Sequence, residues 1–170
     1  PQNSERVVKQ KKAPLRVIIG NPPYSIGQKT ESDNAKNQTY PKLDAAVSKA
    51  YVETSKTTMN KSVYDPYIKA FRWSTDRLDP KNGGVIGFVT NGNWLEGKSQ
   101  DGFRESIEKE FSSIWVFNLR GDARTQGEQR RKEAGNVFGE GTRTPVAITL
   151  LIKKPKQKSE KAKIHYCDIG

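Results

Sequence analysis

The sequence has very few of the residues that form disulfides and metal sites. Its 170 residues include one cysteine, Cys167, and one histidine, His165. A single cysteine excludes an internal disulfide, as is usual in a reducing cytosol. One histidine beside one cysteine does not supply the four ligands of a structural zinc site. We therefore expect a cytoplasmic protein that binds no metal.

Long apolar runs are also missing. No stretch approaches the roughly 20 apolar residues that span a bilayer, so we expect no membrane partner. The first residues, PQNSERVVKQKKAP, contain neither an initiator methionine nor the apolar centre of a signal peptide. We therefore expect the chain to be a segment of a longer polypeptide.

Acidic residues are scarce relative to basic ones. Lysine and arginine total 30 against 19 aspartate and glutamate, which gives a formal net charge of +11. Such a charge favours polyanionic partners, with nucleic acid first and an acidic membrane surface second. Simple solubility is the alternative explanation. The length fits one domain, although only 33% of the residues are hydrophobic.

The order of the apolar segments predicts an α/β sheet. Short β-branched runs predict strands at 15–20, 85–91, 113–121 and 145–154, with a shorter last strand at 163–167. Helical spacing predicts helices near Pro41, after Asp65-Pro66 and after a cap at Asp101. This alternation is typical of parallel βαβ units. Because no clear crossover helix lies between the third and fourth strands, the fourth should run antiparallel beside the third.

Composition divides the chain into three parts. Residues 1–14 are polar and basic, and we interpret them as a linker or arm. Residues 15–154 form the predicted domain, with a polar insertion at 25–60, and the lysine-rich residues 155–170 are interpreted as a second linker.

Four residues directly after the first strand, Asn21-Pro22-Pro23-Tyr24, form the most informative motif. A plain turn is the simple structural explanation, because asparagine and proline favour turns. The functional explanation is a grip on a planar amine. The side-chain oxygen of Asn21 and the carbonyl of Pro22 can each accept a hydrogen bond, the prolines fix φ near about −65°, and Tyr24 offers a ring on which a base can stack.

Such a grip suits methyl transfer to the exocyclic amine of adenine. The lone pair of this nitrogen is delocalised into the ring, so the amine is a poor nucleophile. Two acceptors bonded to its two hydrogens can localise the lone pair, and an electrophilic methyl group can then be attacked in line. Catalysis would depend on positioning and electrostatics. Ligands of α/β sheets bind where this motif lies, at the carboxyl ends of the strands.

The motif resembles the catalytic motif of amino-methyltransferases that use S-adenosylmethionine, above all the N6-adenine DNA methyltransferases. A longer stretch of the sequence is similar to the catalytic part of type ISP restriction-modification enzymes. It runs from YDPYIKAFRW through VIGFVTNGNWLEG to GNVFGEGTRTPVAITLLIKK. In that family one polypeptide joins nuclease, helicase-like, methyltransferase and target-recognition parts.

The resemblance implies a fold, a partner and a set of site residues. The fold would be the C-terminal half of a Rossmann-like class I methyltransferase sheet, with its last strand antiparallel. The partner would be double-stranded DNA with a flipped adenine. Asn21, Pro22, Pro23 and Tyr24 would be the catalytic residues, and Tyr24 and Phe138 would stack on the two faces of the base. A packing role is the alternative for Phe138.

The pattern of the family is incomplete in this chain. No strand followed by a glycine-rich turn and an acidic residue precedes Asn21, and Arg16 stands where many relatives carry aspartate. We therefore expect most of the S-adenosylmethionine site to lie upstream of Pro1. The isolated chain should not methylate.

The basic residues of the loop at 120–144 are the candidates for DNA contact. Arg124, Arg130, Arg131 and Lys132 could contact phosphates, or they could form a solvated loop. The lysine-rich residues after Lys153 would lead toward a target-recognition domain.

Two other functions remain open. The same tetrapeptide serves methyltransferases that act on a glutamine amide in a protein or on a guanine amine in RNA. A non-catalytic DNA-binding module is the third interpretation.

Overall fold

A computed structural model describes residues 2–23, 39–58, 61–133, 135–138, 143–155 and 161–169. The strands are β1 (Val17–Gly20), β2 (Gly84–Asn91), β3 (Ser113–Asn118), β4 (Val146–Lys153) and β5 (Lys163–Asp168). The α-helices are α1 (Gln2–Lys12), α2 (Pro41–Val47), α3 (Pro66–Arg77), α4 (Asp101–Glu110) and α5 (Gly127–Glu133).

The strands form one mixed sheet in the order β1-β2-β4-β3-β5. β2 is parallel to β1, and α3 lies between them in the chain, as expected for a parallel crossover. β4 runs antiparallel between β2 and β3. This confirms the predicted antiparallel strand and a partial Rossmann-like sheet. The strand that follows it, β5, is parallel to β3.

The helices α3 and α4 begin within one residue of where the sequence indicates. Pro66 is at the start of α3, and the Asp65 carboxylate accepts a hydrogen bond from the backbone N–H of Tyr67. Asp101 is the first residue of α4 rather than its cap, so that prediction was one residue off. Its carboxylate accepts from the Ser55 hydroxyl and from the backbone N–H of Lys56, which joins α4 to the segment after α2.

One face of the sheet carries the core. Alternate residues of the strands, such as Ile86, Val116 and Leu151, point to this face and are 0–3% exposed. The predicted apolar stripe of α4 packs there: Phe103 is fully buried, as is Phe71 of α3, and their rings are 5.3 Å apart. The predicted helix near Pro41 also contributes, because Val47 and Tyr51 are fully buried.

The opposite face of the sheet is open at β1. A continuous apolar run such as this one is typical of a strand buried on both faces, but the described residues leave one face of β1 uncovered. Val17 and Ile19 are 62% and 80% exposed. Both side chains point to the face opposite the core, where burial depends on a second packed layer rather than on strand pairing. Trp115 and Phe117 of β3 are also more than a third exposed.

The two segments interpreted as linkers contain regular structure. Within residues 1–14, α1 is an exposed helix, and the carbonyl of its Lys11 accepts a hydrogen bond from Arg77. Within residues 155–170, β5 extends the sheet. In the described part of the chain no helix is long and apolar enough to cross a membrane.

Candidate active site

The predicted motif begins directly after β1, at the carboxyl end of that strand. Asn21 and Pro23 are exposed and Pro22 is partly buried, so the Asn21 side chain does not lie in the packed interior. Tyr24 lies outside the described residues, and its stacking role stays a prediction. β2 is parallel to β1 and ends at the same edge of the sheet, which places the loop after Asn91 beside the motif.

The loop after β2 is fixed by its own side chains. The buried Asn91 accepts a hydrogen bond from the backbone N–H of Asn93 over 2.9 Å, and a short 3₁₀ turn follows at Gly92–Trp94. The backbone N–H of Gly92 also donates to the carbonyl of Pro145, just before β4. Because β4 is antiparallel, its first residues lie beside the carboxyl ends of β1, β2 and β3. We call this end of the sheet, where the strands β1, β2 and β3 finish, the rim.

Arg124 connects two loops of the rim. Its guanidinium binds both carboxylate oxygens of Asp122, at 2.9 and 3.0 Å, and donates to the side-chain oxygen of Asn93 at 2.6 Å. Partial burial acts to raise the pKa of Asp122, but the hydrogen bonds from Arg124 outweigh it and hold the pKa below its ordinary value. DNA contact by Arg124 stays a prediction, and in this structure its guanidinium already links the two loops.

The other three predicted DNA contacts lie together on α5. Arg130, Arg131 and Lys132 are exposed on this helix. Arg120 anchors the helix to the sheet: its Nε binds Asp168 of β5 at 2.6 Å, and its Nη1 donates to the carbonyl of Lys132. The backbone of Arg120 has a φ of 53°, in the left-handed region. The short basic helix α5 is thus held beside the rim.

Phe138 lies in a turn at the rim and is 55% exposed, so it is not a core residue. Its backbone N–H donates to the side-chain oxygen of Asn136 over 3.0 Å. The side-chain nitrogen of Asn136 donates in turn to the carbonyls of Thr144, at 2.9 Å, and Gly121, at 3.4 Å. The sequence interpretation missed Asn136. An asparagine two residues before an aromatic residue was the available signal, because asparagine side chains often bond the backbone two residues further on.

The rim therefore combines exposed acceptors, an exposed ring and a basic helix. Asn21 and the Pro22 carbonyl can bind a hydrogen-bond donor, the ring of Phe138 can stack on a planar group, and α5 can contact a polyanion. Among the residues that the structure describes, no cluster of three or more histidine, cysteine, aspartate or glutamate side chains is arranged to hold a metal ion.

A family model described as Eco57I restriction-modification methylase matches residues 4–124, which is more than half of the chain. Comparison with curated proteins gave no match.

Three solved structures are similar over 99% of this chain. The first is a nuclease-deletion mutant of the Type ISP restriction-modification enzyme LlaGI in complex with a DNA substrate mimic, at 49% identity and a TM-score of 0.87. The second is the ATP-dependent Type ISP enzyme LlaBIII bound to DNA, at 45% identity and a TM-score of 0.87. The third is a DrdV–DNA complex, at 39% identity and a TM-score of 0.84. This chain spans 13%, 11% and 16% of the respective chains.

Proposed function

Since the chain belongs to the Eco57I restriction-modification methylase family, we propose that it is the catalytic segment of a DNA adenine-N6 methyltransferase. The substrate is an adenine flipped out of double-stranded DNA. The observation that carries the proposal is the exposed Asn21 at the carboxyl end of β1, where a planar amine can reach its side chain.

Asn21 and Pro22 hold the target amine. The Asn21 side-chain oxygen accepts from one hydrogen of the adenine N6 group, and the Pro22 carbonyl accepts from the other. This geometry localises the nitrogen lone pair on the side opposite the acceptors. Pro22 and Pro23 keep the two acceptors in place, because their φ angles are fixed. The gain comes from preorganised electrostatics rather than from a strong base, and the nitrogen loses one of its two hydrogens as a proton to solvent after the methyl group has bonded.

Aromatic rings hold the base itself. Stacking on Tyr24 and Phe138 offsets part of the energy needed to take adenine out of the duplex, at about 1–3 kcal/mol per stacked base. The ring of Phe138 is half exposed, which suits stacking on a base and does not suit packing in the core. The basic residues of α5 bind the DNA backbone beside the flipped base.

S-adenosylmethionine supplies the electrophilic methyl group when the complete enzyme binds it. We expect the described residues to supply only part of the site for this cofactor, because the glycine-rich turn that the family places after a strand is not found between Gln2 and Asn21. The open face and edge of β1, with Val17 and Ile19 exposed, are where further parts of the methyltransferase domain would pack. We expect titration calorimetry to show no tight binding of S-adenosylmethionine by this chain alone.

We propose that the chain acts within a larger polypeptide. It spans 11–16% of three solved relatives, two of which are described as Type ISP enzymes. Nuclease, helicase-like and target-recognition parts of the same polypeptide would be its neighbours.

The test is methylation by the full-length protein with a labelled methyl donor on DNA, RNA and protein. We expect label on adenine of DNA. The Asn21→Ala variant should lose roughly 100-fold to 1,000-fold in rate while its DNA affinity stays nearly the same. Asn82→Ala is the matched control, because Asn82 is an exposed asparagine just before β2, at the end of the sheet away from the rim.

Three results would contradict the proposal in different ways. Label on RNA or on a protein glutamine would favour the alternative substrates. DNA binding without methylation by the unaltered protein would favour a non-catalytic binding module. Full activity of Asn21→Ala would remove the assigned role of the motif.

A further inference from the structure

One side-chain amide at the rim joins three backbone segments. The oxygen of Asn136 accepts from the N–H of Phe138, and its nitrogen donates to the carbonyls of Thr144 and Gly121. Asn136 therefore connects the turn that carries Phe138 to the loop after β3 and to the residues before β4.

The segments that Asn136 holds are themselves fixed to the sheet. The N–H of Val146 donates to the carbonyl of Arg120 over 2.9 Å, and the N–H of Gly92 donates to the carbonyl of Pro145 over 2.8 Å. Thr144 lies beside both of these hydrogen bonds in the chain. Its carbonyl is thus held by its neighbours close to the ends of β2 and β3.

Asparagine is suited to this position because its short side chain both donates and accepts. Aspartate would keep the acceptor for the N–H of Phe138 but would place an oxygen against the two carbonyls. Alanine would lose all three hydrogen bonds. Gly121 makes room for the amide: a Cβ at position 121 would lie 2.7 Å from the Asn136 side-chain nitrogen and 3.2 Å from its Cα.

We infer that Asn136 is a positioning residue for methyl transfer: it holds the Phe138 turn preformed, so that the aromatic face is presented to the flipped base before DNA binds. The inference rests on the proposed function, in which Phe138 stacks on adenine. A turn that became ordered only on binding would lose conformational entropy at that step, and a preformed turn avoids this loss.

The experiment uses the full-length enzyme and a DNA duplex in which 2-aminopurine replaces the target adenine. Fluorescence of this base depends on what stacks on it, so it reports a change in how the flipped base is held. Methylation of the ordinary duplex is measured in parallel, as kcat and KM. The variants are Asn136→Asp, Asn136→Ala, Phe138→Ala and the double variant Asn136→Asp with Phe138→Ala.

If Asn136 acts through Phe138, each single substitution lowers methylation by about tenfold and changes the fluorescence in the same direction, and methylation by the double variant falls no more than about twofold below that of Phe138→Ala. Phe138→Trp, unlike Phe138→Ala, retains methylation activity, because tryptophan keeps an aromatic face on which the base can stack. Val137→Ala is the control in the same turn and should match the unaltered enzyme, since Val137 is half exposed. Thermal denaturation of each variant checks that the fold is retained.

Three outcomes overturn the inference. The first is independent effects of Asn136→Asp and Phe138→Ala, which multiply in the double variant. The second is full activity of both Asn136→Asp and Asn136→Ala. The third is full activity of Phe138→Ala while Asn21→Ala is inactive, which removes the stacking role but leaves the proposed reaction intact. Absence of DNA methylation by the unaltered enzyme contradicts the proposed function itself.

Discussion

Arg124 donates a hydrogen bond from its guanidinium to the side-chain oxygen of Asn93 over 2.6 Å. The two residues belong to different loops, one after β3 and one after β2. Arg124 is held in place by two further hydrogen bonds to Asp122, and Asn93 by the side chain of Asn91. The loops beside the Asn21 motif are thus joined by side chains and not by strand pairing alone.

Arg124 could act by linking the two loops of the rim or by contacting a DNA phosphate. Arg124→Lys keeps the positive charge but cannot bind both oxygens of Asp122 and Asn93 together, because lysine lacks the planar fork of donors. We expect the full-length enzyme to lose about tenfold in kcat for methylation, by loosening of the rim. The salt dependence of DNA binding should stay the same. A kcat equal to that of the unaltered enzyme would show that the link has no part in catalysis.

The basic helix α5 should control the salt dependence of DNA binding. Replacing Arg130 and Arg131 by glutamine removes two exposed cations. If both contact phosphates, the slope of log K against log salt should become shallower by about 2. The matched control is Lys9→Gln with Lys11→Gln on the exposed helix α1. An equal change of slope in the control would assign the effect to overall charge rather than to contacts of α5.

Two glycines with positive φ allow the strain and the steric clash at Gly121 to be measured separately. Gly121 has a φ of 93° and Gly127 a φ of 63°, but only Gly121 has neighbours within 4 Å of an added Cβ. Gly127→Ala should lower the free energy of unfolding by about 1 kcal/mol through backbone strain alone. Gly121→Ala should lower it by roughly a further 1–3 kcal/mol, because its methyl group meets Asn136. Chemical denaturation measures both, and equal losses would show that the clash relaxes.

An ion pair between α3 and α4 should govern stability in acid. Arg72 is 6% exposed and binds both carboxylate oxygens of Glu110, at 2.7 and 2.9 Å. Burial acts to raise the pKa of Glu110, but the hydrogen bonds and charge of Arg72 outweigh it, so the pKa lies below its ordinary value. This contribution to stability is therefore complete above the unfolded pKa of about 4.3 and is lost as the pH falls through the lower folded pKa.

Glu110→Gln should reduce the free energy of unfolding at pH 7 by roughly 2–4 kcal/mol, because it leaves Arg72 with less compensation for its buried charge. The difference from the unaltered protein should shrink in acid, where Glu110 itself becomes neutral. Glu105→Gln is the control on the same helix. Its ion pair with Lys109 is exposed, so a much smaller change is expected. Denaturation curves at several pH values decide the matter: a loss that does not depend on pH would contradict the assigned charge effect.

Local sequence was sufficient for α3, for the direction of β4 and for the main motif, but not for α1, which lies in a segment interpreted as a linker. Pro66 and the apolar spacing of α3 predict that helix, because proline suits its first turn and the apolar positions recur on one face. The missing crossover helix predicts that β4 is antiparallel. These signals are carried by residues that are close together in the chain.

The sequence by itself determined which residues can hold a planar amine, since the chemistry of Asn21, Pro22 and Pro23 belongs to their side chains and backbone. Tertiary structure decided which residues support them. The contact between Arg124 and Asn93 joins residues 31 positions apart, and Asn136 reaches the carbonyl of Gly121, 15 positions away. It also decided that β1 is an exposed edge, because burial depends on which elements pack on a strand and not on how apolar the strand is.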